Sequence, residues 1–513
     1  MTGADRQSAA ESPSSNIISG HEASVRNTTD AGSLLGESTR NPGVFVQRRS
    51  PIIGDPRIRG YRFGQYMARA DGAFWFPARL DLDSLISKID SKIIDDVVVI
   101  NGPYSARHGP AFAVVDIATR STPRYEDGSG IEGSTGLTYN TNGQQWNGNQ
   151  FLQFGGEDWG AMVYYIHLTG SDYRDGSGTR VPAGYKSRNL NAALGFDLTD
   201  DTTIQFRYLR QDQTDVELPG QFSDIDFLVT DGFNFNLTST EGVYADLVTL
   251  DTWYNRTRVA GSSGRPAKQA LLNSVFNVAP PNGPLSLPRN GATDFDVLST
   301  GFTLAGTWGE QDRPNFTLGT DLRHYKRGLN ETLTRPARGG GFRTATEDVL
   351  AIIPSSQSTN PGIFAEYSLP ATDRLHLKAG GRVDWVSVSA GEGTIGRRGG
   401  TTSNLDVLGP DRDNSFTLWS TYLTGEYQLT EVFSASAGVG LAQRPPTLTE
   451  LYAMRPFESV LQQGLNRIQG NPFLRPERLK QIDIGLRAEQ DSFRGGIRGF
   501  YAHIDDYITS QGI

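Results

Sequence analysis

The chain has no cysteine among its 513 residues, which excludes disulfide bonds and thiolate metal sites. It has no apolar run near the roughly 18 residues that a membrane helix needs. A helical membrane protein is therefore excluded. A β-barrel is not, because its apolar residues fall at every second position. The opening MTGADRQSAAESPSSN lacks the basic start and apolar core of a signal peptide. The six histidines are scattered with no pair at ligand spacing, so the reading includes no built-in metal and no cofactor. The stretch Gly102 to Gly109 lacks the Lys-Ser/Thr of a phosphate loop. A net charge of −9 disfavours a nucleic-acid binder. The arginine-aromatic stretch PRIRGYRFGQYMAR (Pro56–Arg69) resembles a single-strand-binding surface in composition, but it sits in this acidic context.

Glycine and aromatics are abundant in a chain only 37% hydrophobic, which suits strands with one polar face. Alternation of period two recurs from about residue 131 onward. In AMVYYIHLT (Ala161–Thr169), Met162, Tyr164, Ile166 and Leu168 share one face. Ile204, Phe206 and Tyr208 oppose Gln205 and Arg207, and Leu375, Leu377, Ala379, Val383 and Trp385 oppose His376, Lys378, Arg382 and Asp384. Phe433, Ala435, Ala437, Val439 and Leu441 alternate with small polar residues. Short turns at 155–158, 199–201, 310–313, 370–373, 430–431 and 490–492 alternate with long polar segments near 171–187, 211–242, 258–296, 326–360, 389–415 and 442–478. Tight turns at one end and long loops at the other characterise outer-membrane barrels. A soluble β-sandwich shows the same alternation, so periodicity alone leaves both architectures open.

Residues 1–30 are small and polar and read as a flexible lead-in. The block 31–123 holds a short helix candidate (Asp30 to Glu37) and, in order, SLLGESTRNPGVFVQ (Ser33–Gln47), RIRGY (Arg57–Tyr61), ADGAFW (Ala70–Trp75), VVVINGPYSARHGPAF (Val97–Phe112) and VVDIATRSTP (Val114–Pro123). Together these resemble the plug domain of TonB-dependent outer-membrane receptors. Downstream, LAQRPPTLTELYA (Leu441–Ala453) and GNPFLRPERLKQIDIGL (Gly470–Leu486) resemble two boxes in the second half of that family's barrel. The resemblance covers nearly all of 31–513. It marks Pro42, Gly43, Arg59, Gly60, Asp71, Gly72, Gly102, Pro103 and Gly109 as plug signature residues. It marks Arg444, Pro445, Glu450, Asn471, Pro472, Pro476 and Glu477 as barrel-box residues. The sequence departs from the pattern at Asn101, at Phe112-Ala113 and at Asp116, and residues 1–30 contain no recognisable TonB box.

The resemblance implies a mainly β fold: a small α/β plug (31–123) inside a transmembrane antiparallel barrel (124–513) in an outer membrane. It implies capture of a scarce small molecule, with a TonB partner supplying energy and lipid surrounding the barrel; no catalysis and no nucleic acid are expected. A ferric siderophore or other metal chelate is the expected ligand. Haem is disfavoured because Gln443 to Asn471 contains no histidine, and cobalamin and oligosaccharides stay open. A non-transporting receptor or adhesin with the same fold is the alternative. The expected ligand surface is Tyr61, Arg62, Phe63, Tyr66, Phe74, Trp75 and Phe76, because aromatics give contact area and arginine suits carboxylate or phenolate groups. Ser105 with His108 forms a candidate nucleophile–base pair, but no oxyanion-hole motif accompanies it, and His108 reads as a turn residue. The alternation yields about 15 strand candidates. A barrel of about 22 strands would need more than the residues that follow Pro123, so the chain is expected to be a fragment that does not insert alone.

Overall fold

The computed structural model describes residues 15–26, 28–38, 43–78, 85–276, 290–310, 313–335, 346–392, 395–398, 412–454, 468–490 and 493–509. Pro42 and most of the long segment 389–415 lie outside them.

The first part of the chain forms β1 (Ser15–Ser19), α1 (Gly20–Arg26), α2 (Ala31–Glu37), β2 (Val44–Ser50), β3 (Ile53–Ile58), β4 (Tyr66–Ala70), β5 (Ala73–Phe74), β6 (Ile94–Ile100) and β7 (Ala113–Thr119). Asp30 caps α2 by accepting from the Ser33 amide at 2.7 Å. Five strands make one sheet in the order β1-β6-β7-β4-β5, and β2 and β3 form a separate hairpin. β6 (IDDVVVI) and β7 (AVVDIAT) are rich in β-branched residues and almost wholly buried, because the barrel surrounds the sheet. Ser15–Ser19 pairs antiparallel with β6, so the expected lead-in contributes an edge strand to the plug.

Among the described residues, the rest forms a sheet of sixteen antiparallel strands. Its members are β8 (Gly130–Asn140), β9 (Gln145–Gly155), β10 (Trp159–Gly170), β13 (Tyr185–Thr199), β14 (Thr202–Val216), β15 (Asp224–Thr240), β16 (Leu247–Ser262), β17 (Asn290–Trp308), β18 (Asn315–Arg335), β19 (Thr346–Thr372), β20 (Leu375–Ala390), β21 (Ile395–Arg398), β22 (Asp413–Gln428), β23 (Phe433–Arg444), β24 (Glu477–Gln490) and β25 (Phe493–Asp505). Fifteen follow one another in chain order, as the alternation predicts, and β21 pairs beside β19. A small hairpin, β11 (Tyr173–Arg174) with β12 (Arg180–Val181), and the helices α3 (Pro266–Phe276) and α4 (Leu448–Tyr452) occupy the long connections. Several strands far exceed the roughly 9–11 residues that cross a bilayer. The segments 211–242 and 326–360, expected as loops, are therefore largely strand. There polar residues interrupt the apolar positions, although Val216, Ile225, Leu228, Leu329, Ile352 and Ile353 are buried in one apolar cluster, and the hydrogen-bond ladder continues.

Phe206, Leu318, Ile363, Trp419, Leu423, Val439 and Ile482 are exposed on the outer face. Alternation would also turn Met162, Tyr164, Ile166 and Leu168 toward lipid, and that expectation is corrected. Met162, Tyr164 and Ile166 are buried and Leu168 packs on the plug core, while Val163 and Tyr165 are exposed. β10 is apolar on both faces because its inner face meets the plug, so alternation could not set its phase. Phe206 keeps its outward place beside Phe235, with ring centroids 5.0 Å apart. Leu377 lies on the face opposite the buried Lys378.

An arginine on the lipid face costs ~2–4 kcal/mol near mid-membrane. In a complete barrel, Phe206→Arg should sharply reduce heat-modifiable, membrane-embedded protein, whereas Gln205→Arg should leave it near the parent level. Equal losses would contradict the assigned faces.

Candidate functional site: the plug surface and its barrel clamp

The stretch Asn101–Arg120 leaves β6, turns, and returns as β7. Gly109 has φ +95°, and a Cβ there would sit 2.0 Å from an Arg323 nitrogen of the wall, so only glycine fits. The Ala106 amide donates to Glu366 Oε1 at 2.8 Å, and Arg107 Nε donates to Glu366 Oε2 at 2.9 Å. Tyr422 donates to Glu366 Oε1 at 2.8 Å. Arg382 donates to the Ala106 carbonyl at 2.6 Å and pairs with Asp384 and Asp321, and Arg323 pairs with the same two carboxylates. The wall of β18, β19 and β20 thus grips the plug turn through buried charges.

His108 lies 2.6 Å (Nδ1) from Ser105 Oγ and 3.4 Å (Nε2) from Asp116 Oδ2, and it is 4% exposed. The serine–histidine pair exists, but it is enclosed between β7 and the wall and links the turn to the plug sheet.

A second clamp joins the barrel boxes. Thr447 and Glu450 form a capping box at α4. Arg444 binds Glu450 at 2.8 Å and Glu477 at 2.5 Å, so residues far apart in sequence meet. The Asn471 amide donates to the Glu450 carbonyl, Asn471 Oδ1 accepts from Phe473, and Arg444 donates to the Pro445 carbonyl. Pro472 is buried in the turn, and Pro476 leads into β24. From the plug, Gln65 donates to Glu477 at 3.2 Å and Arg62 reaches Glu450 at 3.4 Å. Burial alone would raise the Glu450 carboxyl, but the Arg444 guanidinium holds it below the usual range. Arg59 lies 2.7 Å from Asp483, and Tyr104 also donates to Asp483. Gly43 accepts from the Arg59 amide through its carbonyl, and Gly60 follows Arg59 through a left-handed turn. Asp71, in the turn closed by Gly72 (φ +84°), accepts from the amide and hydroxyl of Thr119. Pro103 approaches Gly440, and Gly102 lies close to Gln481.

The expected ligand surface divides. Tyr61, Tyr66, Phe74 and Trp75 are buried. Tyr61 donates to Gln481, and burial pushes its phenol up to about 12. Phe74 packs on Trp253, with the Arg69 and Arg323 guanidiniums over its ring. Lys88 lies over Trp75. These rings pack the plug and its contact with the wall. Arg62, Phe63 and Phe76 are only partly buried. Phe63 meets Phe76 edge-on at 6.2 Å, and Phe76 stacks on Tyr325 at 4.2 Å and 12°. Tyr325 escaped the sequence reading. The alternation places Arg382 and Asp384 on the polar face of their strand, but it does not reveal their partners Asp321, Arg323 and Ala106.

Asp90 is buried and accepts from Tyr164 at 3.2 Å and from the Lys92 amide at 2.8 Å. Burial pushes its carboxyl up to about 7. Its folded pKa exceeds the unfolded one, so the fold binds the extra proton and plug stability falls as pH rises from about 4 to about 7. Hydrogen exchange of residues 85–100 should be slower at pH 5 than at pH 8 after correction for intrinsic rates, and Asp90→Asn should shrink that difference. A difference unchanged in the variant would contradict this burial effect. Separately, Glu366→Ala removes the carboxylate that the turn and wall share. It should weaken the clamp by ~3–5 kcal/mol, read as faster protease cleavage within 103–109. Parental cleavage would contradict the clamp.

No curated protein matches the sequence. Solved structures do. The copper transporter OprC is 20% identical, with 96% of this chain and 73% of that chain covered at a TM-score of 0.76. A double mutant of the Serratia marcescens hemophore receptor HasR, in complex with its hemophore HasA and heme, is 16% identical, with 97% and 74% covered at 0.70. The siderophore receptor PirA from Acinetobacter baumannii is 15% identical, with 99% and 72% covered at 0.62. At these identities the likeness is one of fold. The family model described as TonB dependent receptor-like, beta-barrel matches residues 24–513. This chain therefore belongs to the TonB-dependent receptor family, whose barrels lie in the outer membrane of Gram-negative bacteria.

Proposed function

We propose that this receptor captures a metal chelate, a ferric siderophore first among them, and that a TonB partner powers its uptake. The observation that carries the reading is the stack of Phe63, Phe76 and Tyr325 beside Arg62, at the end of the barrel where the long connections lie. Flat rings supply contact area to an aromatic chelator, and a guanidinium pairs with its carboxylate or phenolate oxygens. The surface performs binding, and the buried clamps hold the plug until work is done on it. The similar structures include a siderophore receptor, a copper transporter and a hemophore receptor. The absence of histidine from Gln443 to Asn471 favours a chelate over haem.

Arg62→Ala, Phe63→Ala and Phe76→Ala should each weaken binding of a ferric catecholate or hydroxamate to the folded receptor about tenfold, as a loss near 1.4 kcal/mol implies. Unchanged affinity in all three would reject this surface. Binding without energy-dependent uptake would favour the non-transporting receptor instead.

A further inference from the structure

The outer face of the barrel is concave over part of its width. An open groove of about 600 Å³ runs across β10, β13, β14, β15, β16 and β17, which are neighbours in the sheet. At a strand spacing of ~4.8 Å, five such gaps make it roughly 24 Å wide. Ala161 and Ala192 supply small side chains to it, and rings stand beside them. Phe206 lies 5.0 Å from Phe235, and Phe233 lies 4.8 Å from Tyr208 and 6.4 Å from Tyr254, measured between ring centroids.

Just beyond these rings, toward the long connections, the outward positions become charged. Arg210, Asp231 and Arg256 stand opposite one another, each two residues from Tyr208, Phe233 or Tyr254. Lys326 of β18 continues that row past Leu298. The next row holds Arg188, Asp212, Arg258 and Asp296. Arg210 donates to Asp231 at 2.7 Å, Arg256 to Asp296 at 2.6 Å and Arg188 to Asp212 at 3.1 Å, while Arg258 reaches Asp231 at 3.5 Å. In these two rows of β13 to β18, five cations meet three carboxylates, so positive charge is in surplus within a chain of net charge −9. On β20 and β22 the outward positions beyond Trp385 and Trp419 are Ser387, Ser389, Thr417 and Ser415. The cationic surface is therefore local to the groove.

We propose that this face binds a phosphorylated, multiply acylated glycolipid of the outer leaflet, with its chains in the groove and its phosphates on Arg210, Arg256 and Arg258. A guanidinium takes phosphate oxygens two at a time. Cation clusters at a membrane surface recognise phosphorylated headgroups. Exposed ion pairs are weak, so Asp231 and Asp296 can yield these arginines to a phosphate. The long connections lie at the charged end, which sets the cations at the level of the outward headgroups. Width selects the occupant: a groove across six strands, with cations from β13 to β18, exceeds what the single phosphate and two chains of a phospholipid cover. The site lies outside the barrel and is independent of any ligand captured within it.

The test titrates three lipids onto the complete, folded receptor in detergent and counts bound copies by native mass spectrometry: bisphosphorylated lipid A, its dephosphorylated form and phosphatidylglycerol. The first should bind at least tenfold more tightly than the other two. Arg256→Gln with Arg258→Gln should weaken it at least tenfold. Arg478→Gln with Lys480→Gln, which removes two exposed cations from β24, should leave it unchanged. Ala192→Phe fills the groove and should also weaken binding severalfold, which keeps the test decisive should the arginine pair fail to fold. Equal binding of phosphatidylglycerol or of the dephosphorylated form, or equal loss in the two double variants, would mean ordinary boundary lipid and overturn the site. Parental binding in Ala192→Phe would overturn the groove as the place of the chains.

Discussion

In hydrocarbon no water is present to satisfy a backbone N–H or C=O, and every such group must pair within the protein. That constraint organises this molecule. Among the described residues its barrel part runs from β8 to β25 as adjacent antiparallel strands in chain order, with β21 alone set aside against β19. Once the ladder occupies the backbone, side chains can point only outward or inward. Phe206, Leu423 and Ile482 meet lipid, and asparagines, glutamines and charges line the interior.

A polar interior of this width must be filled, and the plug fills it with two kinds of contact. Its core packs on apolar inward positions such as Tyr164, Ile166 and Trp253. Its turns are gripped by buried charges, Glu366 around Arg107 and the Arg444–Glu450–Glu477 group around Gln65 and Arg62. Buried ion pairs add little net stability but cost much to break one-sidedly, because a lone charge remains in a low dielectric. They suit a plug that must stay seated without being permanent.

Much of this was legible in the sequence. Alternation at Ile204–Tyr208 and Phe433–Leu441 announced outward-facing strands, and Gly102-Pro103 through Gly109 announced the turn. The phase of β10 was not legible, because AMVYYIHLT is apolar in both registers and only the plug decides which face turns inward. The projecting parts of β14, β15, β18 and β19 were hidden because they lie beyond lipid, where strand pairing no longer needs apolar side chains. Tyr66, Phe74 and Trp75 looked like ligand contacts because composition cannot distinguish a ring that packs a core from one that awaits a ligand. The partners of Arg107 and Arg444 lie on other strands and became visible only through the fold.

The central claim is a barrel wall with lipid outside and a plug inside. Spin labels placed singly from Leu418 to Leu423 on β22 test it most directly. Collision with oxygen, which concentrates in lipid, should peak at 419, 421 and 423, and both oxygen and a water-soluble nickel chelate should be weak at 418, 420 and 422. A nickel-chelate maximum at 419, 421 and 423 would place water on that face and contradict the account.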